Sequence, residues 1–119
     1  MVTIELNDVQ LHGYHGIYEG EKTAGGMYEI NLQVAFEEGN TVFERLSDTI
    51  NYEALFGIIK ECMHVATPLL EKLAENIVNK VKKEYLFIND IRVSVYKLNA
   101  PMQNFQGKVG VTVHKKFND

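Results

Sequence analysis

A carboxylate on the flank of an apolar helix is the first feature of this sequence that could do chemistry. Thr67 suits a helix N-cap and Pro68 the first helical position, so we predict a helix over residues 68–84. Its apolar stripe, at helical spacing, is Leu69, Leu70, Leu73, Ala74, Ile77, Val78 and Val81. At about 100° per residue, Glu71 borders this stripe in the first turn, where backbone N–H groups are free. A carboxylate there either stabilises the helix dipole or binds a ligand.

Lys97 is the second residue whose position suggests chemistry. It continues the apolar row Ile91, Val93 and Val95 of a strand predicted over residues 90–97. An amine held beside apolar surface can act as an acid or a base. Alternatively, Lys97 is a strand-end lysine that extends its charged end into water.

Glu21 and Tyr52 are weaker candidates. Residues 12–27 contain five glycines and are predicted to form a long loop that holds Glu21. Loops of this length often carry function, although loop glutamates are usually solvated. Tyr52 follows Asn51, a predicted helix cap, and its hydroxyl is free to donate a proton. Most tyrosines at helix starts are structural.

His12 and His15, in the sequence His-Gly-Tyr-His, have a spacing that a metal could use. A catalytic zinc normally takes three protein ligands, and we find no third ligand in a neighbouring element. We therefore expect no metal site and predict a structural role for His15.

Composition indicates one ordinary globular domain spanning residues 1–119. Hydrophobic residues make up 45% and charged residues 24% of the chain, with a net charge of −4. Interspersed charges give no basic surface for nucleic acid or membranes, and no apolar stretch approaches the ~18 residues of a membrane span. The N-terminus lacks a signal-peptide pattern. The single cysteine, Cys62, is typical of a reducing compartment, so we expect a cytoplasmic protein with Cys62 buried and inert.

The hydrophobic periodicity predicts an α+β fold. Residues 2–11 alternate but change parity at Asn7 and Asp8, which predicts a bulged strand. Further strands are predicted at 28–37, 90–97 and 108–116, and a first helix from Asn51 to about residue 65. The most economical arrangement is a four-stranded antiparallel sheet with two helices packed on one face.

The second face of this sheet is predicted to be polar. Its residues would be Glu29, Asn31, Gln33, Arg92, Ser94, Tyr96, Thr112 and His114. Such a face either meets solvent directly or lines a water-filled channel in an oligomer.

Five short motifs follow one another along nearly the whole chain. They are Leu-His-Gly-Tyr-His-Gly at 11–16 with Glu21 after it, Asp-Thr-Ile-Asn-Tyr at 48–52, Leu-Leu-Glu-Lys-Leu-Ala-Glu at 69–75, Val-Tyr-Lys-Leu-Asn-Ala-Pro at 95–101 and Val-Gly-Val at 109–111. Each motif alone is weak evidence. Their order and spacing together resemble the dihydroneopterin aldolase family of folate biosynthesis.

The resemblance implies the tunnelling fold. In this family four subunits join their sheets into a barrel, two rings commonly stack into an octamer, and sites form between neighbouring subunits. The polar sheet face would then line the tunnel. Tyr52 would complete a site that another chain mainly builds.

The resemblance also implies a reaction. The family cleaves 7,8-dihydroneopterin by a retro-aldol step, and the substrate's own carbon–nitrogen double bond takes the electrons, so no Schiff base, metal or other cofactor is expected. The implied substrate-binding groups are the carboxylate of Glu71 and the backbone at Leu70. Lys97 would be the acid/base residue, with Tyr52 as its partner and Glu21 orienting the substrate side chain or a water. An epimerase side activity is expected from the same intermediate.

Departures from the family pattern leave alternatives open. A glycine pair, Gly25-Gly26, replaces the usual Gln after the loop glycine, and residues 101–107 replace Pro-Ile-Pro-Gly. One alternative is an epimerase, or an enzyme acting on dihydroneopterin triphosphate, although only Lys22 lies close to Glu21 in sequence. Another is a non-catalytic module that binds a pterin or a purine, since guanine has the same hydrogen-bonding edge.

Overall fold

The computed structural model describes residues 1–118 and places four antiparallel strands in the order β1-β2-β3-β4. The elements are β1 (Val2–Gly13), α1 (Glu19–Thr23), β2 (Gly26–Phe36), a 3-10 helix (Leu46–Asp48), α2 (Tyr52–Met63), α3 (Leu70–Glu84), β3 (Asp90–Lys97) and β4 (Val109–Lys116). The predicted α+β class, with α2 and α3 on one face of the sheet, is confirmed. Within residues 1–118, no helix has both the length and the apolar character to span a bilayer.

The bulge predicted in β1 is confirmed. Pairing with β2 shifts register between Leu6 and Val9, and Asp8 has a φ of 58°. The N–H of Asp8 donates to Oδ1 of Asn31 at 2.8 Å, and Nδ2 of Asn31 donates to Oγ of Ser94 at 3.1 Å. The inserted residue returns the apolar side chains of β1 to the core face after the change of parity.

The core lies between the sheet and the two long helices. The sheet contributes the buried rows Tyr28, Ile30, Leu32, Val34, Phe36, Ile91, Val93 and Val95. The helices contribute Leu55, Ile59, Cys62 and Met63 from α2, and Leu70, Leu73, Ala74, Ile77, Val78 and Val81 from α3. Cys62 is a free buried thiol, and burial raises its pKa, as expected for an inert cysteine.

Of the two predicted helix starts, one is confirmed and one is wrong. The side chain of Asn51 caps α2 by accepting from the N–H of Glu53 at 2.9 Å. In contrast, α3 begins at Leu70 with Leu69 as its N-cap, rather than at Pro68 with Thr67 as the cap. Thr67 is unavailable because its hydroxyl donates to the carbonyl of Val65 at 2.8 Å and its backbone bonds to the loop after β1. Glu71 nevertheless stays in the first turn.

The segment predicted as one long loop over residues 12–27 is shorter than expected. β1 extends to Gly13, β2 begins at Gly26, and the short helix α1 lies between them. Glu21 is the third residue of α1, and its Oε1 accepts from the N–H of Tyr18 at 3.2 Å. This hydrogen bond satisfies one free amide at the start of α1. The glycine content of the segment did not predict a helix here.

Hydrogen bonds and ion pairs organise the opposite, polar face of the sheet. Nζ of Lys108 donates to Oε1 of Glu29 at 2.7 Å and lies 4.8 Å from the ring centroid of Tyr96. The hydrogen bond to Glu29 raises the pKa of Lys108. Glu29 is buried beneath this lysine, so this part of the face is not simply a solvated surface.

Candidate active site

A cavity of about 240 Å³ lies where the start of α3 meets the adjacent ends of β3 and β4. Its walls are mainly apolar: Ile17, Tyr18, Pro68, Leu69, Leu70, Val109 and Val111. Two charged residues, Glu71 and Lys97, also line it. Apolar walls with a few polar groups are typical of pockets that bind flat, partly polar rings.

Lys97 forms an ion pair with Glu21 at the wall of this cavity. Its Nζ donates to Oε2 of Glu21 at 2.5 Å, and the two side chains are only 17% and 12% exposed. Lys97 ends β3, between Tyr28 of β2 and Val109 of β4. The ammonium group of Lys97 is therefore largely sheltered from water. The alternative interpretation, a strand-end lysine that extends its charged end into water, is wrong. A charge-assisted hydrogen bond in a sheltered position can hold a proton next to a bound ligand.

The same ion pair borders a second, much smaller cavity of about 20 Å³. Besides Glu21 and Lys97, this cavity is lined by Gly25, Gly26, Met27, Tyr28 and Asn99. Lys97 thus lines both cavities, whereas Glu21 lines the smaller one.

Close packing against Gly16 fixes the carboxylate of Glu21. Gly16 has a φ of +118°, and a Cβ at this position would lie 2.1 Å from Oε1 of Glu21. Both the backbone conformation and the close approach require glycine. The motif glycine therefore permits Glu21 to reach Lys97.

The start of α3 presents unused hydrogen-bonding groups to the larger cavity. The N–H groups of Lys72 and Leu73 both donate to the carbonyl of Leu69 at 3.1 Å. Within residues 1–118, the amides of Leu70 and Glu71 and the carboxylate of Glu71 have no protein partner. A ligand here would meet two donors and a carboxylate acceptor side by side.

Tyr52 does not join these residues within one chain. It is the first residue of α2, it is 61% exposed, and it lines neither cavity. The twelve residues of α2 span roughly 18 Å, and the opposite end of the helix faces the turn that leads to α3. The structure thus brings together Glu21, Leu70, Glu71 and Lys97, and places Tyr52 at the far end of its helix.

His15 is a site-adjacent residue whose contacts the sequence did not reveal. Its ring is fully buried and stacks edge-on against Tyr28 with 5.0 Å between ring centroids. Nδ1 accepts from the N–H of Thr67 at 3.1 Å, so the neutral ring carries its proton on Nε2. Nε2 is buried without a partner in the described part of the chain, which costs about 1–3 kcal/mol.

No metal-ligand cluster is present around His15 or elsewhere in residues 1–118. No three His, Cys, Asp or Glu side chains come together as a ligand set there. His15 instead accepts a hydrogen bond from the backbone N–H of Thr67, which agrees with the structural role predicted for it.

His15 is expected to make folding stability depend on pH. Burial lowers its pKa, and the positive charge of Lys97 lowers it further. The unfolded chain takes up a proton below about pH 6.5, where the folded protein does not. The free energy of unfolding should therefore fall as the pH drops below 6.5, by up to about 1.4 kcal/mol per pH unit, and level off below the folded pKa. Urea denaturation at several pH values between 7.5 and 5 measures this.

Two variants isolate the contribution of His15 to this pH dependence. His15→Asn should flatten the curve, because asparagine does not titrate in this range. His64→Gln changes an exposed histidine at the end of α2 and should leave the curve as in the wild type. Identical slopes for His15→Asn and the wild type would contradict the prediction.

Comparison with known proteins assigns the chain to a family. A family model described as dihydroneopterin aldolase matches residues 4–114. The chain belongs to the dihydroneopterin aldolase family. The dihydroneopterin aldolase of Streptococcus pyogenes serotype M6 is 25% identical over 118 residues, covering 98% of this chain and 99% of the relative. The resemblance seen in the motifs is thereby confirmed.

Solved dihydroneopterin aldolases share this fold. The Escherichia coli enzyme in complex with neopterin superposes with a TM-score of 0.85 at 15% identity, over 97% of this chain and 99% of that one. The enzyme from Burkholderia thailendensis bound to guanine gives a TM-score of 0.80 at 17% identity, over 98% and 92% of the two chains. At these identities the likeness shows the fold.

The two segments noted as departures in the sequence both contain residues with positive φ. Gly25 has a φ of +73°, and a Cβ there would lie 2.5 Å from Cε1 of His12, so the local backbone requires glycine. Between β3 and β4, Asn104 and Gly107 have positive φ values and Phe105 is exposed. Lys108, bonded to Glu29, ends this second segment and fixes it to the polar sheet face.

Proposed function

We propose that this protein cleaves 7,8-dihydroneopterin into 6-hydroxymethyl-7,8-dihydropterin and glycolaldehyde, in folate biosynthesis. The observation that carries the proposal is the sheltered Lys97–Glu21 ion pair, whose lysine lines the same cavity as Glu71. Membership of the dihydroneopterin aldolase family supports it. The cavity would hold the pterin between the start of α3 and the acid–base pair.

Recognition of the pterin would come from the start of α3. The pterin presents an amino group and a ring N–H side by side, and the carboxylate of Glu71 can accept both hydrogen bonds. The free amides of Leu70 and Glu71 can donate to the ring carbonyl. Neopterin and guanine, which relatives bind, both carry this edge.

Cleavage would proceed through proton transfers around the carbon–carbon bond. A base removes the proton from the hydroxyl on C2′, the C1′–C2′ bond breaks, and C2′ becomes the aldehyde carbon of glycolaldehyde. The electron pair of that bond passes into the ring carbon–nitrogen double bond, and the ring nitrogen gains a proton. Protonation of C1′ and loss of the proton from the ring nitrogen then restore the double bond. We assign Lys97 to these proton transfers and Glu21 to orienting the substrate side chain or an ordered water.

A neighbouring subunit would complete the site. The cavity of about 240 Å³ is smaller than the roughly 300–1,000 Å³ of typical ligand pockets, so one wall is missing. Apolar side chains at its rim, including Ile17, Tyr18 and Leu69, are exposed, and the outer strands β1 and β4 have unpaired edges. We propose that four subunits close a barrel through these edges and that Tyr52 enters from the neighbour. We further propose that two such four-subunit rings stack into an octamer and that the protein is cytoplasmic.

Incubation of the purified protein with 7,8-dihydroneopterin and EDTA tests the reaction. Chromatography should show 6-hydroxymethyl-7,8-dihydropterin and glycolaldehyde in equal amounts. Conversion to the C2′ epimer without cleavage would favour an epimerase, and ligand binding without turnover would favour a binding module. The triphosphate is a weaker candidate substrate because, among the described residues, Lys97 is the one cation that lines the larger cavity.

A further inference from the structure

Two hydrogen bonds join the segment after β1 to the segment before α3. Gly16 donates its N–H to the carbonyl of Thr67 at 3.1 Å, and Thr67 donates its N–H to Nδ1 of His15 at 3.1 Å. A third bond connects this pair to the sheet, since the hydroxyl of Tyr28 donates to the carbonyl of His15 at 2.6 Å. We call these three bonds the His15 clamp.

Each residue of the candidate site lies a few positions along the chain, or one strand across the sheet, from a residue of the His15 clamp. Glu21 follows His15 by six residues, and Glu71 follows Thr67 by four. Tyr28 lies directly across from Lys97 in the pairing of β2 with β3. A change in the clamp would therefore move the acid–base pair and the carboxylate of Glu71 relative to each other.

Histidine at this position is not explained by packing. An apolar side chain of similar size would fill this buried space without the unpartnered Nε2 that histidine carries. Tight packing also fixes the ring, because a Cβ on Gly13 would lie 2.7 Å from Nε2. What histidine adds is the acceptor at Nδ1 for the N–H of Thr67.

We propose that His15 is a positioning residue, whose bond to Thr67 sets the distance between the Lys97–Glu21 pair and Glu71. The proposal rests on the proposed aldolase reaction. Substrate bound to Glu71 must place its C2′ hydroxyl within reach of the acid–base pair. A misplacement of about 1 Å between reacting groups can slow a reaction by as much as 100-fold without affecting binding at the far end of the substrate.

His15→Phe and His15→Asn test the role of the Nδ1 acceptor. Calorimetric titration with neopterin counts the binding-competent sites of each variant, and kcat for 7,8-dihydroneopterin cleavage is then expressed per site. We expect kcat of His15→Phe to fall about 10- to 100-fold, with the Kd for neopterin within about twofold of the wild type. His15→Asn should recover most of the loss, because the asparagine oxygen can take the place of Nδ1.

A stability control separates positioning from unfolding. Ile59→Val removes one buried methylene-sized group from α2, and Ile59 is not a partner in any clamp bond, so the substitution should leave kcat per site unchanged. The inference is overturned if His15→Phe keeps the wild-type kcat per site, if His15→Asn does not recover it, or if neopterin affinity falls in parallel. A wild-type protein that binds neopterin but never cleaves 7,8-dihydroneopterin would overturn both the proposed function and this inference.

Discussion

Replacement of Lys97 by alanine is expected to slow cleavage of 7,8-dihydroneopterin by at least ~10²-fold while pterin binding persists. Lys97 lies beside Glu21 at the cavity wall, whereas the groups proposed to bind the pterin are on α3. Loss of the amine would remove a proton-transfer group and leave the binding groups in place. Single-turnover kinetics and calorimetric titration with neopterin measure the two quantities separately.

Controls for Lys97→Ala must account for the carboxylate that the substitution leaves behind. Glu21 is largely buried and would lose its cationic partner, which destabilises the fold. The double variant Lys97→Met with Glu21→Gln removes both charges and should recover stability without recovering activity. Lys72→Ala changes an exposed lysine of α3 that pairs only with Glu75 among the described residues, and its rate should stay within about twofold. Full activity in Lys97→Ala would remove this residue from the mechanism.

Periodicity alone predicted most of the fold. β2 and α3 bury regular rows, at period two and at helical spacing, because each element packs only one face against the core. The bulge in β1 was equally visible, since a change of parity within one strand leaves few other solutions.

Local structure governed by distant contacts was not predictable in the same way. Thr67 has the side chain of a good N-cap, but its backbone bonds to His15 and Gly16, and the helix starts three residues later. The helix α1 was not predicted, because the glycines around it favour a loop. In both places, tertiary hydrogen bonds outweigh propensities of a few tenths of a kcal/mol to about 1 kcal/mol.

The sequence indicated which residues could form the candidate site, but not which of them contact each other. Glu21 and Lys97 are separated by 76 positions, and nothing in either local pattern indicates their bond. They meet because the segment after β1 and the last residue of β3 lie at the same end of the sheet. His15 was less visible still, since a ring nitrogen that accepts from a backbone amide leaves no periodic signal.

Replacement of Glu71 is expected to have the largest effect on affinity. Its carboxylate has no partner among residues 1–118 and faces the cavity from the first turn of α3. Hydrogen bonds to charged acceptors contribute about 1.5–3 kcal/mol each, and the pterin would lose two of them. Glu71→Ala should therefore weaken neopterin binding by about 3–6 kcal/mol, at least ~100-fold, when measured by calorimetric titration.

Two comparisons make this result specific to the carboxylate. Glu71→Gln keeps one acceptor oxygen but sets an N–H₂ group against a pterin donor, so its affinity should fall nearly as far as that of Glu71→Ala. Glu75→Ala removes a carboxylate one turn later on α3, which pairs with Lys72, and should bind neopterin normally. Guanine, which lacks the neopterin side chain, should lose affinity to the same extent in Glu71→Ala because it uses the same edge. Unchanged affinity for both ligands would show that the start of α3 does not bind the ring.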